Sequence, residues 1–138
     1  MKVDLKRIDD AFRFEAQAEG SGITTYIDAA EAIGGHNAGA RPMQLMLMSL
    51  GGCTGIDLID IIRKQRQRLE DISISIEGRR AERVPKVFTD IHLHFKLKGD
   101  LDNKKVQRAI ALSLDKYCSA AAILRKTANI TSSFEIYG

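Results

Sequence analysis

Hydrophobic and polar residues alternate along three short stretches at the start of the chain. Val3 and Leu5 mark the first, within residues 1–9, and strict alternation from Phe12 to Ala18 marks the second. Gly20-Ser21-Gly22 is typical of a turn, and residues 23–27 are rich in β-branched side chains. A half-buried strand shows this period of two, so the pattern predicts a small antiparallel meander.

The longest apolar run begins after Arg41 and continues to Ile62. Pro42 suits the first position of a helix, and apolar side chains on nearly every side predict a long helix buried all round. A membrane span is the alternative, but the run is interrupted by three glycines and two aspartates: Gly51, Gly52, Gly55, Asp57 and Asp60. Aspartate is costly in hydrocarbon, so the sequence favours a core helix.

Each glycine in that helix costs roughly 1 kcal/mol relative to alanine, so a packing gain must offset the penalty. The expected gain is close approach of another backbone, such as the same helix in a second subunit. Since a chain of 138 residues has only a modest core of its own, the pattern predicts a homodimer.

The second half of the chain alternates between strand and helix patterns. Predicted elements are strands over 72–77, 90–98 and 130–137, a helix from Asp102 or Asn103 to Tyr117, and a helical segment from Cys118 to near Lys126. Strands grouped apart from helices are typical of an α+β fold with a mainly antiparallel sheet. No linker or repeat divides the chain, so residues 1–138 are predicted to be a single domain.

Composition excludes several classes of function. The net charge is only +3, tryptophan is absent, and aromatic residues are few, which disfavours a nucleic-acid partner. Residues 1–7 contain no apolar signal segment, so we expect a cytoplasmic protein without a membrane partner. The Gly-rich connection 34–39 matches no phosphate-binding spacing, and its glycines predict a segment that is either mobile or closely packed.

The chain has two cysteines, Cys53 in the long helix and Cys118 before the last helical segment. Their spacing is neither a zinc pattern nor a CxxC pair, which leaves inert core residues or a thiol pair assembled by folding. If Cys118 caps its helix, the helix dipole would lower its pKa. Asp57, one turn after Cys53, is read as structural or as part of a dimer edge.

His92 and His94 share one face of a predicted strand and supply half of a metal site. A third ligand is not evident, because His36 is far away in sequence. Solvated histidines are therefore favoured, and the sequence predicts no metal and no cofactor.

Three stretches together resemble the OsmC/Ohr family: 41–57 around the long helix, 85–93, and 108–119 with its Tyr117-Cys118 pair. The resemblance implies an α+β, OsmC-like fold with antiparallel sheets outside and a long central buried helix carrying Cys53. It also implies an intertwined homodimer with active sites at the interface.

The active members of that family reduce hydroperoxides with a cysteine pair, so the resemblance assigns the peroxidatic role to Cys53 and the resolving role to Cys118. It further implies an arginine oriented by a glutamate that follows the helix-opening proline. Here the uncharged Gln44 stands at the matching position, and Arg41 is the nearest cation in sequence to the helix start. The hairpin at 20–22 offers no arginine.

These observations predict a thiol-dependent hydroperoxide reductase, a peroxiredoxin-like oxidoreductase of oxidative-stress defence. Its partners would be a small hydroperoxide, organic ones especially, and a thiol reductant. The alternative is a catalytically weak homodimer that binds a small hydrophobic or thiol-reactive ligand at its interface, which the uncharged Gln44 favours. A structural dimer with inert cysteines is the third reading.

Overall fold

The order of strands and helices follows the predicted pattern throughout. The computed structural model describes residues 1–138. Its elements are β1 Val3–Arg7, β2 Phe14–Ala18, β3 Thr24–Ile27, α1 Pro42–Lys64, β4 Arg68–Arg80, β5 Phe88–Asp100, α2 Asn103–Leu112, α3 Ser119–Leu124 and β6 Asn129–Tyr137. The chain forms two compact units, residues 1–46 and 47–138, and α1 begins in the first and continues into the second. A single domain stays a prediction.

The first unit is the predicted antiparallel meander, with β2 between β1 and β3. Its Gly-rich connection is closely packed rather than mobile: a Cβ on Gly35 would lie 2.1 Å from the Ala29 carbonyl oxygen. The buried carboxylate of Asp28 organises this loop, because it accepts hydrogen bonds from the backbone N–H groups of Ala29, His36 and Ala38. These bonds, that of Ala38 foremost, hold the pKa of the Asp28 carboxyl below its ordinary value.

The second unit contains a three-stranded sheet in the order β4-β5-β6. β4 and β5 pair antiparallel, as predicted, with Ile72 opposite Leu97. The pairing of β5 with β6 is parallel, with Ile91 beside Ile130, so the expectation of antiparallel sheets is wrong for this pair. A parallel neighbour needs a long crossover, and α2 and α3 supply it between the two strands.

One face of α1 packs into the second unit. The buried residues of α1 recur every four positions, at Leu50, Thr54, Leu58 and Ile62. In β5, alternate residues from Ile91 to Leu97 are buried. The prediction of a helix buried all round is wrong for the single chain, because the opposite face remains exposed. Met48, Ile56 and Ile59 on that face are 57%, 71% and 49% exposed.

Within the single chain, Gly51 and Gly55 of α1 lie against side chains of β4, and close approach of a second subunit to these glycines stays a prediction. A Cβ on Gly51 would lie 2.6 Å from Cδ1 of Ile76, and one on Gly55 would lie 3.1 Å from Cδ1 of Ile74. Gly52 faces open space in the single chain. Two of the three glycines therefore let α1 approach β4 closely.

Helix α1 is long and apolar enough to cross a membrane by those two criteria alone, which core helices of water-soluble proteins also meet. The rejection of a membrane span from the sequence stays a prediction.

Candidate functional site

The two cysteines lie close together in the second unit, but they belong to different helices. Cys53 lies in the middle of α1. At the end of α2 the chain widens into a π-helical turn, Ser113–Tyr117, and the Cys118 N–H donates a 2.7 Å hydrogen bond to the Ser113 carbonyl oxygen. Cys118 then leaves the helical conformation and is the N-cap of α3, the arrangement that the sequence left open.

Folding brings the two thiols together with a carboxylate. The sulfur atoms of Cys53 and Cys118 and a carboxylate oxygen of Asp57 all lie within 4.8 Å of one another. Both cysteines are free thiols, and they differ in access to solvent. Cys118 is 3% exposed whereas Cys53 is only partly buried, so an incoming reagent meets Cys53 first.

The surroundings of Cys118 keep its proton in place. Burial raises the pKa of the Cys118 thiol from an ordinary 9.0 to about 11, and a hydrogen bond with Cys53 acts in the same direction. The Ala121 N–H donates to the Cys118 sulfur at 3.3 Å and opposes the shift. Cys118 is therefore a helix cap, but the lowering of the thiol pKa expected in that case is wrong because desolvation outweighs it.

Asp57 lies beside the cysteine pair, a position that the sequence, which indicated a structural or dimer-edge residue, did not predict. Its Oδ2 accepts a 2.9 Å hydrogen bond from the hydroxyl of the fully buried Ser113, and it forms no ion pair. Asp60, one turn later, pairs instead with Lys64 and Arg63 at 2.6 Å and 3.0 Å. The signal was available, because residues four apart on a helix share one face.

A cavity of about 710 Å³ adjoins Asp57. Its lining includes the cations Lys64, Lys105 and Arg108, the acidic residues Asp57 and Asp60, and Tyr117. The cavity therefore contains groups of both charges and one aromatic residue, Tyr117, which directly precedes Cys118 in the chain.

Arg41 and Gln44 lie in the first unit, where they cap the start of α1. The Arg41 N–H donates a 2.9 Å hydrogen bond to Oε1 of Gln44, and the Arg41 guanidinium donates to the side-chain oxygen of Asn37. The Gln44 contact is one half of a capping box. A supporting role of these two residues toward Cys53 stays a prediction.

The histidines of β5 lie on a solvent-facing side of the strand as expected, and the parallel register also places hydroxyl groups of β6 beside them. His92 forms hydrogen bonds with Thr131 at 2.7 Å and Ser133 at 2.9 Å, and His94 forms one with Ser133 at 2.7 Å. His36 lies in the first unit beside Asp9, at 3.4 Å. Of the described residues, the group with metal-ligand spacing is the cysteine pair with Asp57.

Comparison with known proteins identifies the family. A family model described as OsmC-like protein matches residues 35–133. Protein YhfA of Escherichia coli is 45% identical over 96 residues, which cover 69% of this chain and 72% of YhfA. A hypothetical protein from Aquifex aeolicus superposes with a TM-score of 0.85 and 31% identity, covering 99% of this chain and 95% of its own.

An organic hydroperoxide resistance protein, OsmC, from Legionella pneumophila shares the fold at a TM-score of 0.74. Its identity is 16%, with 98% of this chain and 97% of that chain covered. The family match spans most of the chain, and the mixed fold of two three-stranded sheets with helices agrees with these structures. The chain therefore belongs to the OsmC-like protein family.

Proposed function

We propose that this protein is a thiol-dependent hydroperoxide reductase in which Cys53 attacks the peroxide and Cys118 resolves the product. The observation that carries the proposal is the meeting of two cysteines from distant parts of the chain within 4.8 Å. Hydroperoxide resistance in a neighbour of the same fold supports the same chemistry.

The reaction has two steps within the protein. The Cys53 thiolate attacks one peroxide oxygen, the O–O bond breaks, and the departing alkoxide takes a proton to become an alcohol. Cys53 is left as a sulfenic acid. The Cys118 sulfur then attacks that of Cys53, and hydroxide leaves and is protonated to water as the disulfide forms. A reductant dithiol returns both cysteines to thiols.

The unequal exposure of the two thiols supports this assignment of roles. Partly exposed Cys53 can meet a substrate, whereas buried Cys118 keeps its proton and stays unreactive until a sulfenic acid forms beside it. A disulfide needs sulfur atoms about 2.05 Å apart, so the pair would close by at most about 3 Å. We place this chemistry in the cytoplasm, where reducing thiols are abundant.

The test is consumption of an organic hydroperoxide in the presence of excess dithiol by wild type, Cys53→Ser and Cys118→Ser. Turnover should vanish in Cys53→Ser. In Cys118→Ser, one equivalent of peroxide should convert Cys53 to a sulfenic acid that a dimedone probe traps and mass spectrometry locates. No consumption by the reduced wild-type protein would refute the proposal.

A specific observation favours the second candidate, a catalytically weak protein that binds a small ligand. The first turn of α1 contains no acidic residue, and Gln44 already binds the Arg41 backbone, so this turn offers no carboxylate to orient an activating arginine. The cavity beside Asp57 would then hold the ligand. Ligand that copurifies with inactive protein, and that Cys53→Ser still binds, would support this function over the first.

A further inference from the structure

The cysteine pair and Asp57 together form a set of donors that zinc prefers. Two thiol sulfurs and a carboxylate oxygen converge within 4.8 Å of one another, in a place that is buried on the side of Cys118. We propose that Cys53, Asp57 and Cys118 bind a thiophilic divalent cation of the zinc class when both cysteines are reduced.

The spacing of the three donor atoms fits a tetrahedral ion. Zinc binds sulfur at about 2.3 Å and carboxylate oxygen at about 2.0–2.2 Å, which separates neighbouring ligand atoms by about 3.5–3.8 Å. The donor atoms here are already within 4.8 Å, so side-chain adjustments of about 1 Å or less complete the site. Three protein ligands leave one position for water or another exchangeable ligand, as in open zinc sites.

The environment of Asp57 favours a cation next to the sulfurs. Asp57 forms no ion pair with a lysine or arginine, although Asp60, on the same helix, forms two. The Ser113 hydroxyl holds the Asp57 carboxylate in place, which is the usual function of an outer-shell partner at a metal site. A dication would offset two of the three negative charges that Asp57 and the two thiolates carry once it has displaced the thiol protons.

Cations also lie nearby, and they restrict where the ion sits. The adjoining cavity is lined by Lys64, Lys105 and Arg108 together with Asp57 and Asp60, so it offers a metal ion no sulfur ligand and a small excess of positive charge. The ion therefore belongs between Asp57 and the two sulfurs, and an anionic fourth ligand could enter from the cavity side.

Metal binding and disulfide formation exclude each other in this arrangement, because a disulfide uses both sulfur ligands. Only the reduced protein binds the ion. The proposal does not require peroxide turnover, so a protein without peroxidase activity can still bind the metal.

The experiment uses cobalt(II) as a spectroscopic probe and zinc as a competitor. Reduced full-length protein is titrated with Co²⁺ in the absence of oxygen, and the thiolate-to-cobalt charge-transfer band and the visible bands of tetrahedral cobalt are recorded. We expect saturation at one equivalent and loss of both signals when zinc is added. Protein whose cysteines have been oxidised to the disulfide should give neither signal.

Matched variants identify the ligands. Asp57→Asn should weaken binding at least about tenfold, and Cys53→Ser and Cys118→Ser should remove the charge-transfer band or shift it to that of a single thiolate. Asp60→Asn, one turn away on α1, should bind like wild type. Circular dichroism confirms that each variant is folded.

Three outcomes would overturn the proposal: no stoichiometric cobalt signal in the reduced wild type, equal binding by Asp57→Asn and Asp60→Asn, or an unchanged spectrum without Cys53. Since none of these readouts involves peroxide, failure of the metal site is distinguishable from failure of the proposed peroxidase.

Discussion

The hydroxyl of Ser113 donates a 2.9 Å hydrogen bond to Oδ2 of Asp57, and this bond joins α1 to the turn that follows α2. Ser113 is fully buried, and its carbonyl oxygen also accepts the Cys118 N–H. One residue thus positions both the carboxylate beside the thiols and the cysteine that caps α3. Its replacement should affect the cysteine pair as well as the stability of the fold.

Ser113→Ala removes this hydrogen bond and leaves the Asp57 carboxylate without its only partner. We expect the free energy of unfolding to fall by about 1–3 kcal/mol, because a half-buried charge loses its hydrogen bond. Urea denaturation measures the change. Ser73→Ala, at an exposed position of β4, is the control and should stay within about 0.5 kcal/mol of wild type. Equal effects of the two substitutions would contradict the role given to Ser113.

The raised pKa of Cys118 makes stability depend on alkaline pH. Between pH 9.0 and about 11 the unfolded thiol ionises while the folded one keeps its proton, so the folded state binds more protons. The free energy of unfolding should therefore fall as pH rises through this window, by at most about 3 kcal/mol.

Cys118→Ala should lose that part of the pH dependence. The measurement is urea denaturation of the reduced proteins at several pH values from about 8 to about 11. Subtracting the variant from the wild type removes the contributions of lysine and tyrosine residues. A difference that stays constant with pH would show that Cys118 ionises as freely in the folded protein as in the unfolded chain.

The exposed face of α1 predicts self-association. Apolar side chains grouped on one helix face, Met48, Ile56 and Ile59, are unusual on the surface of a monomer. We propose that a second copy of the chain covers them, and we expect Ile56→Asp to convert a dimer into a monomer at micromolar concentration. Light scattering coupled to size-exclusion chromatography measures the mass.

Ile123→Asp is the matched control for that experiment. Ile123 is 66% exposed on α3, close to the 71% of Ile56, so both substitutions should be tolerated equally by an isolated chain. We expect this variant to remain dimeric. A monomeric wild type, or dissociation by both variants alike, would argue against an interface on α1.

Gly51 and Gly52 are neighbours that should respond in opposite ways to alanine. A Cβ at Gly51 would meet Cδ1 of Ile76 at 2.6 Å, whereas Gly52 has open space in the single chain. Gly51→Ala should destabilise by about 1 kcal/mol, since overpacking outweighs the gain in helix propensity. Thermal or urea denaturation measures both variants.

Ile76→Val tests whether contact with Ile76 causes the destabilisation by Gly51→Ala, because valine lacks the Cδ1 atom that the new methyl group would meet. In the Ile76→Val background, Gly51→Ala should become neutral or stabilising. Gly52→Ala should stabilise by up to about 1 kcal/mol, and a clear loss of stability there would indicate that a partner packs closely on this glycine.

Cys118 shows which properties of a residue follow from its neighbours in sequence and which depend on the tertiary structure. Its position at the start of a helical segment allowed a cap on α3, which the structure shows, since a cap depends on a few consecutive residues. The direction of its pKa shift was not predictable in this way. Burial and the neighbouring Cys53 decide it, and both depend on residues far away in sequence.

The sequence by itself determined the order of strands and helices and narrowed the cap of α2 to Asp102 or Asn103, because periodicity and capping act within a few residues. Only the tertiary structure placed β6 parallel to β5, left one face of α1 exposed, and brought Asp57 to the two thiols. Those features depend on which surfaces meet when the chain folds. Distance along the chain carries little information about such contacts, so the site became visible only in three dimensions.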